Sequence, residues 1–199
     1  MGIAEIGGRR LVEPLARPIA KGLLTAHIGP DSITTLGLII SAGVAVLFGI
    51  GEFRWAGAAI LFAGICDILD GTMARLGDYR NAFGAFYDSF IDRLSDMLLL
   101  GGLVYYYGSN GQSPEFIAGL GAIGGCFMVS YARARAEGLG LNGNVGVAER
   151  PERIIITALG ALIYPPLTLD IAVWILLVIT YLTAIYRAIY VWQQLHRDK

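Results

Sequence analysis

The sequence predicts an all-α integral membrane protein, with six transmembrane helices behind an N-terminal amphipathic juxtamembrane helix. Composition is the first observation behind this. Of 199 residues, 55% are hydrophobic and 16% charged, and mean hydropathy is +0.61, whereas a soluble domain carries roughly 25% charged residues. The second observation is that the apolar residues gather into runs near the ~20 residues that cross a bilayer. The third is that basic residues recur at alternate connections. A chain of this length holds one domain, 1–199, divided into an interfacial helix at 1–30 and a six-helix bundle at 31–199.

The stretch "RRLVEPLARPIAKGLLTAHI" places apolar residues at helical spacing with basic residues between them, the pattern of a helix lying in the membrane interface. The first span runs from Ser32 to Ile50 and is ended by the polar "GEFR". The second covers Trp55 to Arg75. The third, Phe83 to Tyr107, stops before "GSNGQSP". The fourth is Glu115 to Ala136. The fifth, Pro151 to Tyr164, is stopped by Pro165 and Pro166, and the sixth is Leu169 to Tyr190.

Arg9, Arg10, Arg17 and Lys21 precede the first span. Arg75 and Arg80 lie between the second and third, and Arg133, Arg135, Arg150 and Arg153 around the connection of the fourth and fifth. Arg187, Arg197 and Lys199 lie within or after the sixth, while the opposite side has only Arg54. The positive-inside rule then puts both termini in the cytoplasm of a multi-pass cell-membrane protein. The net charge of −1 argues against nucleic acid as a partner. Met1–Gly8 has no apolar core of a cleavable signal. Cys66 and Cys126 fall in apolar runs without a C-x-x-C pairing, which excludes a zinc site or disulfide framework and suits buried small hydrophobes.

One stretch contradicts this apolar background. "CDILDGTMARLGDYRNAFGAFYDSFIDRLSD" carries Asp67, Asp70, Asp88, Asp92 and Asp96 at the end of one span and the start of the next. Each ionisable residue inside a span costs at least ~2.5 kcal/mol, so such residues are functional candidates. Asp67 and Asp70 are three apart and Asp88 and Asp92 four apart, so each pair shares a helical face. The spans are joined by a short connection, so the pairs meet at one depth. Carboxylates so placed repel unless cations neutralise them. Oxygen donors without His or Cys point to hard cations, Mg²⁺ with Mn²⁺ as a substitute, and two such ions form the usual clamp for displacement at phosphorus. Asp78 and Asp96 suit an interfacial position.

The full spacing is D67-x-x-D70-G71-x-x-A74-R75, eight residues, then G84-x-x-x-D88-x-x-x-D92. It resembles the signature of the CDP-alcohol phosphotransferases at every fixed position. That resemblance implies transfer of a phospho-alcohol from a CDP-alcohol to an acceptor hydroxyl, with release of CMP. It implies that Asp67, Asp70, Asp88 and Asp92 hold two Mg²⁺ ions, with Asp92 also the general base. Gly71, Ala74, Arg75 and Gly84 match positions around the CDP-lipid headgroup. Upstream, "GPDSITTLG" makes Asp31 and Thr34 further nucleotide-side candidates, although both also suit the first turn of a helix.

In "SYARARAEGLGLNGNVGVAERPERIII" the arginines outnumber what a donor pyrophosphate needs, which suggests an acceptor carrying its own phosphate. The pattern resembles the phosphatidylinositol phosphate synthase branch. The implied donor is CDP-diacylglycerol or CDP-archaeol and the implied acceptor inositol 1-phosphate, with Arg133, Arg153 and Arg187 as the acceptor phosphate pocket. Arg133 stands where relatives usually carry Lys, and Arg150 is as well read as a membrane anchor. The resemblance also implies a homodimer. Two rival readings remain: phosphatidylglycerophosphate synthesis from glycerol 3-phosphate, and a divalent-cation transporter. Against the transporter, the acids lie at one end of the spans rather than the midplane.

Overall fold

Apolar runs bounded by Gly and Pro fold here into seven α-helices, with no strand among the described residues. The computed structural model describes residues 3–77 and 81–197, with side chains from 14 to 77 and from 81 to 196. Asp78, Arg80 and Lys199 therefore lie outside the described residues, as do the side chains of Arg9, Arg10 and Arg197. The helices are α1 (Ile3–Thr25), α2 (Pro30–Gly49), α3 (Phe53–Leu76), α4 (Ala82–Ser109), α5 (Ser113–Gly138), α6 (Arg150–Leu162) and α7 (Leu167–Arg197). Each of the six expected spans is a helix.

Four of the seven, α2, α3, α5 and α7, are long and apolar enough to cross a membrane. The other two expected spans differ for physical reasons. α4 has the length, but Asp88, Asp92, Arg93 and Asp96 lie between its first turns and its middle. α6 has only 13 residues, about 20 Å at 1.5 Å per residue, against a hydrocarbon core of ~30 Å. At the N-terminus, α1 is helical through Pro14 and Pro18 and packs on α3. Ala16 and Ala20 are buried, while Leu15 and Ile19 are exposed beside exposed Arg17 and Lys21. It ends in a turn in which Ile28 N–H donates to Leu23 O and His27 N–H to Leu24 O, with His27 at φ 60°. This paired bonding terminates helices through one left-handed residue, usually Gly.

The packing partners close a ring. α2 packs on α3 and α4, α4 on α5, α5 on α7, α7 on α6, and α6 on α3. Successive helices alternate in direction, through short connections elsewhere and through the 139–149 loop between α5 and α6, and the ring has two unlike ends. At one end a core of Val44, Phe48, Ile60, Leu103, Tyr107 and Val173 draws on most of the ring. There the buried Tyr107 hydroxyl donates to Asp170 Oδ1 at 2.9 Å. At the other end lie the C-terminus of α3 and the N-termini of α2, α4 and α6, which carry the charge. Outer faces keep large apolar side chains exposed, among them Ile39, Phe62, Leu120, Val178, Ile185 and Ile189. An exposed apolar surface this extensive marks contact with lipid or protein.

Candidate active site

The aspartates converge because α3 and α4 each flank α2 and the connection between them is short, so the end of one helix and the start of the other share a level. Asp70 is buried and accepts a hydrogen bond from Thr34 Oγ1 of α2 at 2.8 Å. Thr34 is itself buried and also donates toward Pro30 O at 3.2 Å, so the first turn of α2 fixes one carboxylate of the group. Thr35 and Tyr87 share a 2.8 Å hydrogen bond that ties the same turn to α4. Asp67 and Asp92 are half-buried, and Asp88 and Asp31 are exposed.

A guanidinium joins the two helices. Arg150 Nη1, from the first residue of α6, hydrogen-bonds Asp67 Oδ2 and lies 2.6 Å from Asp92 Oδ1. Its Nε is 3.6 Å from Asp96 Oδ1. Arg153, one turn on, is buried: Nη2 pairs with Asp96 Oδ2 at 2.6 Å and Nη1 donates to Ala148 O at 3.2 Å. Arg93 Nη1 adds a 3.6 Å approach to Asp92 Oδ2. The acidic and basic stretches thus form one network across α3, α4 and α6.

Around it the other sequence candidates divide. Arg75 Nη2 donates to Thr72 Oγ1 at 3.1 Å, and Gly71 lies beside the same guanidinium, where a Cβ would sit 3.5 Å from Nη1. Ala74 is on the same last turns of α3. Gly84 N–H donates to Asn81 Oδ1 at 2.7 Å, an N-cap that starts α4. Arg133 pairs with Glu137 at 2.8 Å on the exposed face of α5. Arg187 is fully buried. Its Nε donates to Val145 O at 2.7 Å, its Nη1 to Val129 O at 2.8 Å, and its Nη2 is 3.7 Å from Glu149. In this arrangement Arg187 fastens the 139–149 loop to α5 and α7. Gln194 does the same at the far end of the loop, exchanging hydrogen bonds with Asn142 N–H and O. A loop held this way fixes where α6 begins, and so where Arg150 and Arg153 point.

Arg150 and Asp96 are the participants that sequence reasoning did not assign. A signal existed: Pro151 favours the first helical turn, and Arg150 and Arg153 at i, i+3 share a face. What that face meets depends on α3 and α6 being neighbours, which no local pattern states.

Among the described residues no three acidic or His/Cys side chains form a ready-made metal cage, and the Arg150 guanidinium engages both Asp67 and Asp92. The donor set still fits a hard divalent cation. It is all carboxylate oxygen, and two of its members already share one cationic partner. Asp67, Asp70, Asp88 and Asp92 are the residues that could hold Mg²⁺ or Mn²⁺.

Comparison with known proteins agrees with this chemistry. The CDP-alcohol phosphatidyltransferase family model matches residues 27–189. The archaetidylinositol phosphate synthase of Methanothermobacter thermautotrophicus is 38% identical over 94% of this chain and 91% of its own. The phosphatidylinositol phosphate synthase of Mycolicibacterium smegmatis is 37% identical over 87% and 82%. Among solved structures, the phosphatidylinositol phosphate synthase of Mycobacterium tuberculosis with CDP-DAG bound superposes with a TM-score of 0.84 at 36% identity, covering 90% of this chain and 94% of that one. The same enzyme in complex with manganese and citrate gives 0.82, covering 89% and 88%. The chain belongs to the CDP-alcohol phosphatidyltransferase family.

Proposed function

We propose that the protein transfers the phospholipid moiety of CDP-diacylglycerol, or of CDP-archaeol, to inositol 1-phosphate, releasing CMP and forming a phosphatidylinositol phosphate. The observation that carries this reading is the joining of the aspartate motif to the two arginines of α6 in one buried network. Acids suited to cations and cations suited to phosphates there occupy a single site. The names of the relatives, inositol phosphate lipid synthases of both ester and ether type, support the acceptor and leave both donor types open.

In the reaction the acceptor hydroxyl oxygen bonds to the lipid-bearing phosphorus, and the bond from that phosphorus to the CMP oxygen breaks. Asp92 takes the hydroxyl proton as general base. Thr34 holds Asp70 in place. Gly71, Ala74, Arg75, Gly84 and Asp31 surround the CDP headgroup, with Gly71 leaving the backbone open beside Arg75. Arg153, with Arg133 and Arg187, supplies the positive surroundings of the acceptor phosphate. Asp67, Asp70, Asp88 and Asp92 would hold two Mg²⁺ ions, which when bound would supply Lewis-acid charge to the donor pyrophosphate.

The reading includes six membrane crossings, with α4 and α6 added to the four long apolar helices. α4 turns its acids into the network while Phe83, Phe86, Phe90 and Met97 stay exposed. The basic end of the ring, with both chain termini, faces the cytoplasm. α1 lies along the membrane surface, and the enzyme acts as a homodimer in the cell membrane.

An acceptor panel with purified protein tests the proposal. CMP release from CDP-diacylglycerol or CDP-archaeol should require inositol 1-phosphate, stop in excess EDTA, and return with Mg²⁺ or Mn²⁺. Equal turnover with glycerol 3-phosphate or free inositol would overturn the acceptor, and full activity in EDTA would overturn the metal centre.

A further inference from the structure

We propose that Arg150 is the resident counter-ion of the aspartate centre, a guanidinium that holds Asp67 and Asp92 until a divalent cation takes them. The inference rests on the metal reading above and goes beyond it. One nitrogen, Nη1, engages both carboxylates, Asp67 Oδ2 and Asp92 Oδ1 at 2.6 Å. These oxygens come from different helices, so Arg150 does what a bridging cation does. A second cation on the same oxygens would stand against the first, and like charges at such separations repel strongly where water is scarce. Guanidinium and metal are therefore alternative partners of one pair of carboxylates.

The fold delivers Arg150 to this position rather than leaving it there by chance. It is the first residue of α6, where a helix disfavours positive charge because its N-terminal N–H groups already carry a partial positive charge. Arg153 in the same turn doubles that opposition. Glu152 in the first turn offsets part of that opposition, and the rest is answered from outside the helix: Asp96 holds Arg153 at 2.6 Å, and Arg187 and Gln194 anchor the preceding loop. With the start of α6 fixed in this way, Arg150 needs only side-chain rotation to leave Asp67 and Asp92. A partner is also required of it, since half-buried carboxylates left unpaired in a membrane-embedded site are costly.

The experiment titrates Mn²⁺ into the purified full-length protein in detergent, reading free Mn²⁺ by its electron paramagnetic resonance. Arg150→Gln should bind Mn²⁺ about tenfold more tightly than the unaltered protein, the factor expected if the guanidinium occupies the centre about nine-tenths of the time. Arg150→Lys keeps a charge that cannot span both carboxylates and should give an intermediate affinity. It also serves should the Gln variant not fold. Arg135→Gln, which removes an exposed charge in the last turn of α5, should stay within about twofold of the unaltered protein, because an exposed charge is screened by salt and water. In EDTA the Arg150→Gln protein should melt below the unaltered one, with Mn²⁺ narrowing the gap. Unchanged or weaker Mn²⁺ binding in both Arg150 variants would overturn the counter-ion role while leaving the metal centre intact. Tightening in Arg135→Gln equal to that in Arg150→Gln would reduce the effect to general charge and overturn it too. No Mn²⁺ binding by the unaltered protein would overturn the metal centre and the counter-ion together.

Discussion

Arg153 and Asp96 form a pair whose side chains are 7% and 14% exposed, and the Arg150 guanidinium that also approaches Asp96, at 3.6 Å, is already engaged by Asp67 and Asp92. Removing one partner of a buried pair leaves an uncompensated charge, at a cost of about 3–5 kcal/mol. Arg153→Ala should therefore lower the melting temperature sharply, and adding Asp96→Asn should restore most of the loss. An acceptor-binding role for Arg153 predicts something further. The acceptor KM should rise about tenfold or more in Arg153→Ala, matching loss of a charged hydrogen bond of ~1.5–3 kcal/mol, and should not recover in the double variant. Steady-state kinetics on both variants separate the roles, and a KM that recovers together with the melting temperature would leave Arg153 purely structural. Asp92 gives a cleaner case because Asn keeps its size. Asp92→Asn should lose about 10²-fold or more in kcat, as expected for a general base, with its helical circular dichroism unchanged. Retention of more than about a tenth of the CMP-release rate would remove Asp92 from that role.

At the scale of helices, close approach is set by missing side chains. A Cβ on Gly102 of α4 would lie 2.3 Å from Ala45 O of α2, closer than any tolerated contact, so the two backbones must part or the helix must turn. Gly101, its neighbour, faces open space with nothing within 4 Å. Gly102→Ala should destabilise the protein by about 1–3 kcal/mol, the usual cost of overpacking. Gly101→Ala should be neutral or slightly stabilising, since Ala is the better helix former. Thermal unfolding of the two variants checks this, and an equal effect would show that α2 and α4 do not meet there. The helices themselves were legible from the apolar runs and the polar, Gly and Pro stretches that bound them: Ser32–Ile50 became Pro30–Gly49, and Phe83–Tyr107 became Ala82–Ser109. The final helix exceeded its expected end at Tyr190 because "VWQQLHR" keeps helix-forming residues after the apolar run stops, and Gln194 there holds the 139–149 loop. The aspartate pairs were legible because helical spacing decides which residues share a face. Arg150 was not, because its partners lie on α3 and α4, more than fifty residues away in sequence.

The ring as a whole has a polarity that follows from alternation. Turns of α2–α3 and α4–α5 lie at the end closed by Phe48, Tyr107 and their apolar neighbours, while the α3–α4 and α5–α6 connections lie at the charged end. A substrate with a lipid tail and a phosphorylated head suits such a body, since the exposed apolar flanks and the ionic network occur together only at the charged end. Orientation then decides from which compartment the polar acceptor comes, and in the proposed orientation, which rests on the basic connections, that end faces the cytoplasm. Single cysteines report it directly, because the native thiols Cys66 and Cys126 are both buried. Asn110, exposed between α4 and α5, and Leu139, 49% exposed after α5, flank one helix on opposite ends. In intact spheroplasts a membrane-impermeant maleimide should label Asn110→Cys, and should reach Leu139→Cys only after the membrane is opened. The reverse pattern would turn the enzyme outward and deny it a cytoplasmic acceptor. Labelling of both from outside would mean that α5 does not cross, which its 26 mostly apolar residues argue against, since a helix of that length reaches about 39 Å.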